Sequence, residues 1–190
     1  VTEVFSVAQV IETCERYLRV TAETGVRPPF FMSPITGILG DHFKKLAARD
    51  GLEVSVEAME QAGVIVSRAC YAVVAERDYP VTLLYGGARI ELDFSGLVGG
   101  GMAATINWST AAELIEHDPA VHVSVTDPSD PAMVEVLTQA FPEMRQALDP
   151  EGLALADFEE FGPVLHFRDL FIAGWNGVRA MVAQERLAQR

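Results

Sequence analysis

Residues 32–41 read MSPITGILGD, where an apolar run that includes Phe30 and Phe31 passes through Ser33 and Pro34 into a loop punctuated by Gly37 and Gly40. Proline offers no N–H to a sheet and glycine permits tight or close-packed backbone, so the stretch reads as a buried strand that ends at the mouth of a fold. An ordinary polar turn would serve to reverse the chain. A small hydroxyl, a rigid ring and two glycines suggest instead that the strand end has work to do, because working groups of barrel enzymes sit where strands finish and loops begin.

The pattern on either side of this stretch alternates. Val1 to Ser6 is short, apolar and partly β-branched; Val7, Val10, Ile11, Cys14, Tyr17 and Leu18 follow at the spacing of one helix face. After the run at 28–34, Phe43, Leu46 and Ala47 predict a helix that stops near Asp50-Gly51. Val56, Met59, Gly63, Val66, Cys70 and Val73 predict the longest helix, with its start at Ser55 and an acid, Glu57, in its first turn. Pro80 then introduces Val81 to Tyr85, a continuous apolar run ended by Gly86-Gly87, as expected of a covered parallel strand. Leu92 to Val98 predicts a turn or two of helix, Gly99-Gly100-Gly101 a turn, and Met102 to Ile106 another strand. Thr110 with Glu113 has the spacing of a capping box for the helix after it.

Strand and helix in alternation with short connections predict right-handed βα units and a parallel sheet. A closed (β/α)8 barrel takes ~250 residues, so about four such units predict the C-terminal half of a TIM (β/α)8 barrel over residues 1–118. Beyond the turn cluster Asp127-Pro128-Ser129-Asp130-Pro131 the pattern is helical through Phe167, Leu170, Phe171, Val178 and Val182. Residues 119–190 are therefore expected to form a helical C-terminal cover on the same domain. Val1, lying inside an apolar strand pattern and not a methionine, is expected to follow removed or separate upstream material.

With 27 acidic against 14 basic residues the net charge is -13, which disfavours long contact with nucleic acid or an anionic membrane surface. No apolar run reaches the ~18 residues of a membrane span, and the first residues lack signal-peptide order, so the expectation is a cytoplasmic protein. Cys14 and Cys70 fall on apolar helix faces and read as reduced core thiols.

Lys44 and Lys45 are the only lysines, adjacent on a helix that points them to solvent. An amine becomes a Schiff-base nucleophile when an apolar site desolvates it, so any such lysine lies outside this sequence. His42, His117, His122 and His166 show no metal-ligand spacing, and neither metal nor cofactor is expected. Consecutive helix positions also point Asp41 and His42 apart. Polar residues at strand ends remain: Thr2, Ser33, Arg89 and Asn107. Each reads either as a functional group or as a helix cap or satisfied loop hydroxyl.

In order along the chain, VTEVFSVAQ (1–9), MSPITG (32–37), LLYGGARIE (83–91) and ATINWSTAAEL (104–114) resemble successive strand-end segments of the transaldolase family, and the stretch 151–175 resembles a C-terminal region of some members. The resemblance implies a class I aldolase-type barrel in which a lysine from an earlier strand attacks a ketose phosphate and passes a dihydroxyacetone unit to an aldose phosphate. It implies that Thr2 helps hold a catalytic water, that Ser33 contacts the sugar and that Arg89 binds the substrate phosphate, with Asn107 at the matching end of the last strand. It further implies a sugar or sugar-phosphate substrate, a role in carbohydrate metabolism such as the pentose phosphate pathway, completion by the N-terminal barrel half in cis or as a separate chain, and leaves a homo-oligomer open.

The departures point the other way. Ile38 stands where the family carries an arginine, Gly87 where it carries a serine and Ile35 where it carries a phenylalanine. Loss of one rigid guanidinium fork weakens phosphate binding, so an unphosphorylated or differently substituted sugar is expected, or loss of transfer activity. A non-catalytic binding or scaffold protein is the alternative, and an unrelated sugar- or phosphate-binding α/β domain a third.

Overall fold

The computed structural model describes Val1 and residues 3–188. In chain order it contains helix α1 (Val7–Thr24), strand β1 (Phe31–Met32), α2 (Gly37–Asp50), α3 (Val56–Glu76), β2 (Thr82–Tyr85), α4 (Leu92–Ser95), β3 (Ala103–Ala104), α5 (Trp108–His117), α6 (Pro131–Ala140), α7 (Pro142–Leu148), a 3-10 helix (Leu155–Glu160) and α8 (Gly162–Ala188).

The sheet is parallel and small. Its order is β1-β2-β3, with Phe31 opposite Thr82 and Leu84 opposite Ala103, and isolated parallel bridges join Val4 to Pro34 and Ile35 to Gly86. The expected half of a (β/α)8 barrel is therefore corrected: the sheet is open, has three strands of two to four residues, and helices make up most of the chain.

Local chemistry explains why the strands are short. At Ser6 the hydroxyl accepts the Gln9 N–H at 3.2 Å while the Gln9 carboxamide oxygen accepts the Phe5 N–H at 2.8 Å. This reciprocal cap starts α1 at Val7, directly after a short stretch in which Val4 bridges Pro34 and Val1 bonds Phe31 and Ser33. Proline at 28, 29 and 34 deprives the next segment of donors on both sides of β1. β3 is hemmed between Gly99, Gly100 and Gly101, at φ 108, 65 and 67°, and the helix cap at Asn107.

One face of the sheet is buried and the other is not. Met32, Leu83 and Tyr85 point into the helices, while Phe31 on the opposite face is 51% exposed and Thr82 and Leu84 are half-buried. The core lies on the helical side, where Val10 and Cys14 of α1, Leu39 and Phe43 of α2, and Met59, Ile65 and Cys70 of α3 meet the strands. Ser55 caps α3 by accepting the Ala58 N–H at 3.1 Å. Gly63 lets α3 cross the backbone just ahead of α2: a Cβ there would stand 2.2 Å from the Thr36 carbonyl oxygen. That contact couples α3 to the segment that carries Ser33.

Helices α6 and α7 add a further layer through Leu137, Phe141, Met144 and Ala147, all buried. Phe141 stacks on Phe43 of α2 with ring centroids 4.4 Å apart and planes 11° from parallel. α8 begins against this body, with Phe167 edge-on to Phe5 at 5.9 Å, and then leaves it: every residue from Arg168 to Ala188 is exposed. Between α5 and α6, residues 119–130 hold no helix or strand, yet Ser124 ties them back by exchanging hydrogen bonds with Val98.

Cys14 and Cys70 are buried and unpaired. Burial, with Glu15 adding to it, pushes the Cys14 thiol up to about 11, and burial takes Cys70 up to about 12. Among the described residues no helix is long and apolar enough to cross a membrane.

Candidate functional site

Strand direction brings several polar residues to one edge. The chain leaves β1 at Ser33, β2 at Gly86 and β3 at Thr105, all at the carboxyl ends of parallel strands. A Cβ on Gly86 would meet both Ser33 Oγ and Thr105 Oγ1 at 3.2 Å. The two hydroxyls thus flank one glycine and face the gap that its missing side chain leaves. Ser33 itself is buried, and Thr105 is exposed. The backbone of Ser33 is fixed by its N–H to the Val1 carbonyl at 2.8 Å and by its carbonyl accepting the Val4 N–H at 3.2 Å.

Arg89 emerges from the loop after β2 and turns toward α2. Its side chain lies across Gly37, where a Cβ would stand 2.6 Å from Arg89 Cγ and 2.8 Å from the Gly87 carbonyl oxygen. No side chain larger than hydrogen fits there while Arg89 keeps this course. The guanidinium is half exposed, with Nε 3.7 Å from Asp41 Oδ2 of α2. The loop is held from below by Asp93, 1% exposed, whose Oδ2 accepts the Arg89 N–H at 2.7 Å and the Ile90 N–H at 3.2 Å.

Among the described residues Asp93 Oδ1 has no hydrogen-bond partner. The Thr36 hydroxyl stands within reach of that carboxylate and of the Gly86 carbonyl, and in this geometry its proton goes to Gly86 at 3.3 Å. Burial raises the Asp93 carboxyl above its ordinary value, opposed by the N–H groups of Arg89 and Ile90, by Thr36 and by the charge of Arg89. Asp93, Arg89, Gly37, Asp41, Lys44 and Glu60 border a crevice of only about 10 Å3, room for no more than one water. Any larger anion has to meet Arg89 on its open side.

Ser33 is not among the residues that line this crevice. The structure thus joins Ser33 to Gly86 and Thr105, and Arg89 to Asp93, Asp41 and Gly37, as two adjoining groups at one sheet edge. Asn107 caps α5: its Oδ1 accepts the Thr110 N–H at 2.9 Å and the Ser109 hydroxyl at 2.7 Å. The cap expected at Thr110 therefore belongs to Asn107, and Thr110 is the residue capped. Thr2 lies outside the described residues.

Neither lysine sits in an apolar pocket. Lys44 donates to Glu60 Oε1 at 2.8 Å, and Lys45 Nζ is 3.4 Å from His166 Nδ1. His42 meets the Glu143 carboxylate and faces His166 with ring centroids 5.5 Å apart, a polar junction of α2, α7 and α8. Burial first, then the charges of Lys45 and His42, lower the His166 pKa. Among the described residues no group of three or more His, Cys, Asp or Glu is arranged to hold a metal ion. A wider cleft of about 610 Å3, between α4, α5 and residues 118–122, is lined by Tyr85, Phe94, Leu114, Ile115 and Val121 and by neither Ser33 nor Arg89.

Two residues of the site escaped the sequence. Thr105 was hidden inside an apolar run, and Asp93 inside Leu92 to Val98; an acid four positions past an arginine in so apolar a stretch was the available signal. Chemically, two hydroxyls and an arginine can bind and orient a polyol or an anion, with no base among the described residues in contact to make either hydroxyl a nucleophile. No protein-family model matches the chain, and no curated protein matches it.

Proposed function

We propose that this chain supplies sugar-contacting residues of a transaldolase-like Schiff-base transferase or aldolase that acts on sugars or sugar phosphates in the cytoplasm. The observation that carries the proposal is the pair of hydroxyls, Ser33 and Thr105, flanking Gly86 at the carboxyl ends of parallel strands. Ligands of open α/β sheets bind beyond those strand ends, and a sugar needs fixed hydrogen-bonding groups there. Arg89, half exposed on the loop after β2, provides the charge for a phosphate. The reacting amine would come from residues outside this sequence, in cis or on a separate chain, because Lys44 is bound to Glu60 and Lys45 faces His166.

Reduction with borohydride in the presence of a ketose tests this on the full-length protein. The expected result is a covalent adduct on a lysine other than Lys44 or Lys45. Ser33→Ala should raise KM for every sugar, and Arg89→Ala should raise it about tenfold or more for phosphorylated sugars alone, the scale of one lost charge-assisted hydrogen bond. Absence of any adduct, or indifference to both substitutions, refutes the proposal. A non-catalytic sugar-binding or scaffold protein is the second choice, favoured by the pairing of Arg89 with Asp41 and by Ile38 and Gly87 in place of polar groups; it predicts ketose binding with no adduct.

A further inference from the structure

Asp93, in the first turn of α4, is an expensive residue to bury where any neutral acceptor could cap the N–H groups of the Arg89 loop. It is 1% exposed, one of its oxygens has no partner among the described residues, and the other spans two successive N–H groups, those of Arg89 and Ile90. Removing a carboxylate from water is unfavourable unless charge or hydrogen bonds compensate, and here the compensating groups all belong to the Arg89 loop or to Thr36. Arg89 has few ways to lie. Gly37 gives its stem a groove, Asp41 orients the guanidinium from one side, and the clamp at Asp93 fixes the φ and ψ from which the side chain starts. A side chain as long as arginine is otherwise among the most mobile, and ordering it on binding costs conformational entropy.

We propose that Asp93 is a positioning residue: by holding the Arg89 and Ile90 N–H groups it sets the direction in which Arg89 presents its guanidinium to the phosphate of a ligand. Asp93 touches no ligand itself. The proposal rests on Arg89 being an anion-binding residue, as argued above, and adds the device that aims it.

Binding of inorganic phosphate to the full chain at low ionic strength, by calorimetry and by the NMR signal of Arg89 Nε–H, provides the test. Wild type should bind, and Arg89→Ala should lose about tenfold or more in affinity. Asp93→Asn, whose amide oxygen still accepts both N–H groups, should stay within about threefold of wild type, while Asp93→Ala should fall as far as Arg89→Ala. Should Asp93→Ala fail to fold, Asp93→Glu decides: it keeps the charge but shifts the acceptor by a methylene, and affinity should drop although the charge is intact. Phosphate affinity unchanged in folded Asp93→Ala or Asp93→Glu, with Arg89→Ala impaired, overturns the positioning role alone. Equal phosphate affinity in wild type and Arg89→Ala overturns the role of Arg89 and the positioning role together.

Discussion

Gly63→Ala is a sharp test of how the helices set the strand-end geometry. A methyl group at position 63 would stand 2.2 Å from the Thr36 carbonyl oxygen, 2.5 Å from its carbon and 2.6 Å from its Cα. Those atoms are backbone, so no side chain can swing away. Contact falls roughly 1 Å short of normal van der Waals separation. Either α3 backs off the sheet or residues 33–36 move, and overpacking of this kind costs up to about 3 kcal/mol. Alanine returns ~1 kcal/mol because it is the better helix former. The net loss is up to about 2 kcal/mol, which for a chain of this size lowers Tm by as much as roughly 4–8 °C. Thermal and urea unfolding followed by circular dichroism would measure it. Gly177→Ala is the control: nothing lies within 4 Å of its Cβ position, so helicity should rise slightly with no loss of Tm. A Gly63→Ala protein that melts at or above the wild-type temperature would refute the close crossing of α3 over Thr36.

Three further outcomes follow from the packing and the charges. Phe141→Ala, which removes the ring stacked 4.4 Å from Phe43 and wholly buried, should cost about 3–5 kcal/mol in urea unfolding, whereas a loss below 1 kcal/mol would mean that α7 is not part of the core. Cys14 and Cys70, raised to about 11 and about 12, should react with a thiol reagent only as fast as the protein unfolds; rapid labelling of the native chain would contradict their burial. Because the folded Asp93 carboxyl is raised, the folded state holds a proton that the unfolded state has released, so wild-type stability should decline as pH rises from the ordinary carboxyl value of 3.8 through the folded one. Asp93→Asn removes that decline, and unfolding midpoints of the two proteins with parallel pH dependence would show that Asp93 is not desolvated.

Helix boundaries were legible because their signals are local. Ser55 opens α3, Asp50-Gly51 closes α2 with Gly51 at φ 67°, and the apolar stripe of α1 faces the core through Val7, Val10 and Cys14. The barrel was not, because alternation of apolar runs fixes neither strand length nor closure. Val1 to Ser6 looks as strand-like as Val81 to Tyr85, yet beyond the bridge at Val4 the Ser6–Gln9 cap stops it and α1 begins at Val7. Ser33 and Arg89 could be picked out as strand-end polar residues, but their partners could not. The approach of Thr105 to Ser33 depends on strand register, and the clamp at Asp93 depends on a loop bending back by four residues. Asn107 illustrates the converse, a strand-end polar group whose side chain serves the next helix.

The free length of α8 bears on how the protein melts. From Arg168 to Ala188 no residue is buried, so helical order there rests mainly on backbone propensity and on contacts within the helix such as Phe171 against Phe167, and Gly174 and Gly177 each weaken it by ~1 kcal/mol relative to alanine. A helix that lacks tertiary packing has little stability of its own in water. On warming, ellipticity should therefore decline gradually from this projecting arm well before the body gives way in a single step, and calorimetric and spectroscopic midpoints should part company unless a binding partner splints the arm.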